Sequence, residues 1–313
     1  MTNPYNIVGL GDVNLDYIIG SNLPFKFSSL VENGVIYWEE INEIPGGSGL
    51  NFCAFAKKEG YRSLLLSKVG NDTAGFFITN WLNNNNISIA SHWTADRPTG
   101  KAIIVRDNSD IRLLINNKDN ANQLLSLEDI EEHKNDIISC QILYISGYCI
   151  SDTSAPRFQA TLKAMEYAKQ ANFSNSPIIV FDVVPHKIYE KMTFNEFLSY
   201  TKNVDILISE VATIRRFLNL GSKLEVVDYN MAEDTMKQIA LYYSRLILRF
   251  GPTGCDEQIL WDKNTNNLLY NETGHKIADD KRGFGDLLTL RSLQNFFHIL
   301  SQTPNSINAF HHP

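Results

Sequence analysis

The residues best suited to chemistry are Gly283, Phe284, Gly285 and Asp286, in the run Asp280-Lys281-Arg282-Gly283-Phe284-Gly285-Asp286. Two glycines one residue apart leave backbone N–H groups uncovered, and those groups can point at an anion. The run Leu287-Leu288-Thr289-Leu290 then opens a helix, which puts the same amides at its positive end. Asp286 falls in the first turn, where the helix dipole favours a carboxylate that can reach a nearby hydroxyl. An anion cradle beside a base is the chemistry of phosphoryl transfer to an alcohol. By itself, the pattern serves equally as a plain strand-to-helix connection. The elements that would position it decide between the two.

A chain of 313 residues holds one large α/β domain or two smaller ones around a buried core. Hydrophobic residues make up 43% and charged residues 20%, ordinary values for a soluble globular protein. The net charge is −7 and no Lys/Arg block forms a basic arm, which argues against a nucleic-acid partner. A phosphate site in such a chain must concentrate positive potential locally, through amides and a few basic side chains. No apolar run approaches the length that crosses a membrane. Asp12 and Asp16 interrupt the N-terminal region where an export signal needs its apolar segment, so a cytoplasmic protein is expected. Cys53, Cys140, Cys149 and Cys255 are scattered without a Cys-x-x-Cys pair, against a disulfide framework or a zinc site.

The first predicted strand covers residues 5–10 and runs into Gly11-Asp12-Val13-Asn14-Leu15-Asp16. Polar residues just past a strand's C-terminal end are where open α/β sheets bind ligands, so Asn14 and Asp16 are candidates for gripping hydroxyl groups. A solvated loop is the alternative. Residues 21–44 form a less regular excursion with a short strand at 35–38. In Pro45-Gly46-Gly47-Ser48-Gly49-Leu50-Asn51, Gly46 and Gly47 allow either close approach to a ligand or tight packing, and Asn51 lies one turn into the following helix. Residues 87–93, 100–106 and 111–115 read as strands with no helix between them. That predicts a small separate sheet shared with the excursion. From Ser126 onward helices and strands alternate, which predicts a parallel sheet covered by helices on both faces. Gly251 and Gly254, after the strand at 245–249, can fold a loop over a nucleotide or simply make a turn.

Taken in order and spacing, three of these motifs resemble the PfkB, or ribokinase-like, family of carbohydrate and nucleoside kinases. They are the Gly-x-x-Asn-x-Asp after the first strand, the Gly-Gly-x-Gly-x-Asn helix start and the late Gly-x-Gly-Asp. Further matches are Val69-Gly70-Asn71-Asp72-Thr73-Ala74-Gly75, Pro98-Thr99-Gly100, Asn120-Ala121-Asn122, Phe181-Asp182 and Gly251-x-x-Gly254. The resemblance implies a ribokinase-like α/β fold: a doubly wound three-layer α/β/α sandwich forming one domain over residues 1–313. A β-sheet lid would come from about residues 17–44 and 87–117. It implies a phosphotransferase that uses ATP and Mg²⁺ on a hydroxyl of a small sugar or nucleoside. Asn14, Asp16, Gly46, Gly47 and Asn51 would hold the acceptor, and Gly251 and Gly254 would lie along the nucleotide. Gly283, Phe284 and Gly285 would present amides to the transferring phosphoryl group, with Asp286 as general base. Lid strands expose edges that two copies can cover for each other, which makes a homodimer the expected assembly.

The chain departs from the family pattern at several points. Lys281-Arg282 replaces a small or threonine-like pair, and Arg282 is expected to add positive charge facing the ATP phosphates unless it is a solvated surface residue. The Asn-x-x-Glu motif that helps organise magnesium is not intact. Ungapped register gives Glu210 and Thr213, with Glu210 the candidate metal ligand through water. Arg249-Phe250 stands where Thr-Leu is usual. A rival reading, a catalytically impaired sugar- or nucleotide-binding relative, draws on the altered metal motif; Asp286 with both glycines favours the enzyme.

Overall fold

Residues 5–19, 40–106, 112–170, 176–184, 187–221, 225–274 and 283–301 are described by a computed structural model. The strands of the first half are β1 (Ile7–Leu10), β2 (Asn14–Ile19), β3 (Ile41–Gly46), β4 (Ser63–Gly70), β5 (Ser88–Thr94), β6 (Gly100–Arg106) and β7 (Arg112–Asn116). Those of the second half are β8 (Ile142–Ser146), β9 (Ile178–Val183), β10 (Ile206–Glu210), β11 (Arg245–Phe250), β12 (Glu257–Asp262) and β13 (Asn267–Glu272). The first two described helices are α1 (Ser48–Lys58) and α2 (Thr73–Asn84). Between α2 and the C-terminal region come α3 (Leu127–Glu132), α4 (Lys134–Ser139), α5 (Pro156–Gln170), α6 (Phe194–Tyr200), α7 (Val211–Phe217) and α8 (Tyr229–Ile239). The last described helix is α9 (Phe284–Ser301).

Nine strands form one sheet in the order β13-β12-β11-β10-β9-β8-β1-β4-β5, and four form a second in the order β3-β2-β6-β7. The large sheet is parallel from β5 through β11, and β12 and β13 extend it as antiparallel strands. Its central strands are apolar on both faces because helices cover both. Alternation along each strand divides the core. Val8, Leu10, Leu143, Ile145, Ile179, Phe181, Leu207 and Leu248 meet α5, α7 and α8 on one face. Ile7, Ile142, Tyr144, Val180, Ile206, Ile208 and Ile247 meet Phe52 and Ala56 of α1 and Leu290, Leu293, Phe296 and Phe297 of α9 on the other. No described helix is long and apolar enough to cross a membrane.

Two expectations change. The strand at 88–94 does not join the small sheet; it pairs in parallel with β4, from Leu64↔Ser88 to Gly70↔Thr94, and forms an edge of the large sheet. The cause is that β4, α2 and β5 make a βαβ unit, in which Ile87 and Ile89 pack with Leu65, Val69 and Ile78. In place of a loop at 14–16, β2 is a strand of the small sheet, so Asn14 and Asp16 point to one face and Leu15 to the other. The strand expected at 35–38 lies outside the described residues.

The start of α1 crosses the end of β1 at very short range. A Cβ on Gly49 would sit 2.7 Å from backbone atoms of Gly11. Neither backbone can yield without shifting a strand or a helix. Gly49→Ala is therefore expected to lower unfolding free energy by about 1–3 kcal/mol in urea titrations. Gly285→Ala, with no described atom within 4 Å of its Cβ position, leaves stability unchanged or raises it by up to about 1 kcal/mol.

Candidate active site

In a parallel sheet all strands deliver their C-terminal ends to the same edge, and the helices that follow them start there. At that edge α1 and α9 bring their N-termini together. Asn51, in α1, donates from Nδ2 to Oδ2 of Asp286 in the first turn of α9 (3.0 Å). Gly283, at φ +61°, lies against the same Asn51 amide. Leu287 N donates to the Gly283 carbonyl (3.0 Å), so the helix begins there and its first amides remain uncommitted to the helix. Phe284 is buried, whereas Gly285 is exposed.

Under α9 the sheet changes character. On the α1/α9 face the apolar residues Val180, Ile208, Ile247 and Leu260 are succeeded, toward the C-terminal edge of the parallel strands, by Asp182, Glu210, Arg249 and Gln258. Gln258, Asp182 and Arg249 meet polar residues of α9. Ser292 Oγ donates to Gln258 Oε1 (2.7 Å), and the Thr289 hydroxyl donates to Asp182 Oδ2 (2.5 Å) while accepting from Arg249 Nη2 (2.6 Å). Arg249 Nη1 also donates to the Gly285 carbonyl (3.3 Å).

The carboxyl groups of Asp286, Asp16 and Asp182 resist ionisation. Although Asp286 keeps some exposed surface, burial of its carboxyl pushes it up to about 8. The Asn51 hydrogen bond and Arg249 work against that rise, and Asp182 and Asp16 work with it. Burial likewise pushes Asp16 up to about 7. Asp182 is also raised by burial, with Arg249 and the Thr289 hydrogen bond opposing.

The remaining sequence candidates fall into three groups around this pair. Asp16 lies with its carboxyl where a Cβ on Gly46 would project, so glycine at 46 is what makes room for it. Gly47, at φ +99°, turns the chain from β3 into α1. Asn14 accepts from Asn122 Nδ2 (3.0 Å), and Asn122 also accepts from Val13 N (2.9 Å) and Ser67 Oγ (3.1 Å), bracing the β1–β2 bend. On the far side, Gly251 and Gly254 take φ +105° and +86°, and Gly254 packs against the Glu210 carboxyl. The structure thus puts Glu210 and Gly254, chosen separately from the sequence, next to each other. Arg282 lies outside the described residues.

Sequence reading attached no role to Asp182, Thr289 or Asn122 and treated Arg249 only as a departure. Asp182 and Asn122 stood inside quoted motifs; Thr289 carried no local signal. The Val-Gly-x-Asp and Pro-Thr-Gly motifs prove to interlock with each other. Thr99 donates through Oγ1 and N to the Asp72 carboxylate (2.6 and 3.0 Å), which also caps α2 by accepting from Gly75 N (2.9 Å). Among the described residues, no group of three or more His, Cys, Asp and Glu side chains is arranged to hold a metal ion.

An unfolded aspartate titrates near 3.9, whereas Asp286 and Asp16 hold their protons to about 8 and about 7 in the fold. Between those limits the native state binds more protons than the unfolded chain, so stability falls as pH rises. Asp286→Asn removes one such group. Its melting temperature is expected to match the parent near pH 4 and to exceed it increasingly toward pH 8, as read by thermal unfolding across that range.

Comparison with known proteins follows the same lines. Residues 10–239 match the family model described as pfkB family carbohydrate kinase. A 5-dehydro-2-deoxygluconokinase of Clostridium beijerinckii is 24% identical over 251 residues, spanning 78% of this chain and 67% of that protein. Ribokinase from Giardia lamblia superposes with a TM-score of 0.76 at 17% identity, over 98% of this chain and 86% of that one. An uncharacterized sugar kinase from Pyrococcus horikoshii, in complex with ATP, gives 0.67 at 16% identity, over 96% and 86%. With a family match across most of its length, on a ribokinase-like fold, the chain belongs to the pfkB family of carbohydrate kinases.

Proposed function

We propose that this kinase transfers the terminal phosphoryl group of ATP to a hydroxyl of a small sugar or nucleoside, with Asp286 as general base. The observation that carries the reading is the Asn51–Asp286 pair at two converging helix N-termini. A carboxyl pushed up to about 8 has the proton affinity a base needs to take a hydroxyl proton near neutral pH. Asn51 holds the carboxyl in one orientation. The amides of residues 283–285 lie at the positive end of α9, where the charge of a phosphoryl group in flight is favoured.

The acceptor would bind between this turn and the small sheet, with Asp16 and Asn14 taking its hydroxyls and the Gly46-Gly47 backbone close against it. The small sheet would serve as its lid and exclude water. MgATP, when bound, supplies the phosphoryl group and part of the charge neutralisation. The Gly251 and Gly254 turns would follow the nucleotide. Glu210, beside Gly254, suits Mg²⁺, which is commonly held by one or two carboxylates together with water and substrate phosphates. The Clostridium relative's name indicates a sugar-acid substrate for that protein, so such an acid belongs beside neutral sugars and nucleosides in any acceptor panel.

A homodimer through the small sheet is the second part of the proposal. Ile103, Leu113 and Ile115 share one face of β6 and β7, opposite to Asp16, and are 38%, 45% and 49% exposed. A second copy would cover them.

ADP release from MgATP, measured over sugars, sugar acids and nucleosides, is expected to depend on one acceptor class. Asp286→Asn should lower its kcat by about 10²–10⁴-fold; turnover that survives the substitution would remove Asp286 from the mechanism. Light scattering is expected to give the mass of two chains for the parent and of one for Leu113→Lys/Ile115→Lys. A parent of monomer mass would rule out the dimer.

A further inference from the structure

A helix N-terminus is a poor place for a cation, because its free amides already carry partial positive charge. Arg249 is nevertheless built into that position. It rises from β11 beneath the first turn of α9, is 6% exposed, and commits Nη1 to the Gly285 carbonyl and Nη2 to Thr289 Oγ1. Its Nε finds no partner among the described residues. Such an arrangement does little for the helix and leaves one buried donor unsatisfied. Its surroundings account for it. Among the described residues, Asp286 is faced by Asn51 from α1, Asp16 from β2, Tyr144 from β8, Asp182 from β9 and Arg249 from β11. Arg249 is the only cation among these groups, and two of the others are acids. The same guanidinium reaches the turn that carries the amides of residues 283–285 and, through Thr289, the Asp182 carboxylate.

We propose that Arg249 is a positioning residue of the transfer site: it clamps the Gly283–Asp286 turn to the sheet and supplies the positive charge that allows Asp286 to give up its proton. The inference rests on Asp286 being the base. Among the described residues, Thr289 and Asn51 would be left to hold the turn without Arg249, and Asp286 would face Asp16 and Asp182 with no opposing charge from them. Arginine suits both tasks, since its planar fork reaches two acceptors at once while staying ionised.

The two tasks separate by substitution. Arg249→Gln keeps hydrogen-bond donors and loses the charge; Arg249→Lys keeps the charge and loses the fork. The Asp286 carboxyl is followed by NMR in the full chain labelled with carbon-13 aspartate, without nucleotide, its signal assigned by loss in Asp286→Asn. In Arg249→Gln the titration midpoint is expected to rise by about one pH unit or more, and the acid limb of kcat/KM to move by the same amount. Arg249→Lys should keep the parent's midpoint but lower kcat about tenfold at unchanged acceptor KM, as expected when positioning in the transition state is lost. An unchanged midpoint in folded Arg249→Gln, or an equal shift in both variants, would overturn the proposal. Asp182→Asn gives a reading that does not depend on how Arg249→Gln folds. With the competing carboxylate gone, the Asp286 midpoint should fall, and no change would count against Arg249 as its counter-charge. Because titration needs no turnover, a parent protein that transfers no phosphate would count against the kinase reading alone.

Discussion

The site depends on a carboxyl group held partly out of water where two helix N-termini converge. Asp286 occupies the first turn of α9 and is tied to α1 by Asn51. That position follows from the architecture. Parallel strands end together, α1 and α9 cover one face of the sheet, and their first turns meet at its C-terminal edge. A carboxylate there is favoured by the Asn51 hydrogen bond and by Arg249 and disfavoured by desolvation, and desolvation is the larger effect. A proton acceptor of raised affinity is the result, placed beside amides suited to an anion.

Such a site is bought with stability. Asp16, Asp182 and Asp286 each hold their protons above the ordinary carboxyl range, and ionising them inside the fold is unfavourable. Along the α1/α9 face the sheet gives up apolar contact for Asp182, Arg249 and Gln258 where it passes under the start of α9. Farther along the same helix, Leu290, Leu293, Phe296 and Phe297 restore the apolar packing. The helix is thus anchored by apolar packing farther along its length and makes polar contacts with the sheet near its N-terminal turn.

Much of this was legible in the sequence, because it is written locally. Alternating helices and strands after Ser126 pointed to the large sheet, and the glycine-rich turns fall at the C-terminal edge of its parallel strands. Asp286 and Asn51 both came from motifs read one at a time, and the structure brings them into contact across 235 positions. What local pattern could not show was pairing between distant segments. The strand at 88–94 carries no mark of which sheet it joins; the βαβ packing of α2 decides it. Asn122 lies 108 positions from Asn14, and its bracing of the β1–β2 bend follows only from the folded path. Arg249 appeared in the sequence as a departure from a family pattern, and its contacts with Gly285 and Thr289 follow only from β11 lying under α9.

The central claim is that the turn at residues 283–286 is where phosphoryl transfer takes place. The most direct measurement is a crystal structure of the full chain with magnesium, a non-hydrolysable ATP analogue and the acceptor that supports turnover. The account predicts the terminal phosphoryl group at the amides of residues 283–285, with an acceptor hydroxyl within hydrogen-bond reach of Asp286. A nucleotide seated away from α9, or an acceptor whose hydroxyls all lie beyond reach of Asp286, would contradict it.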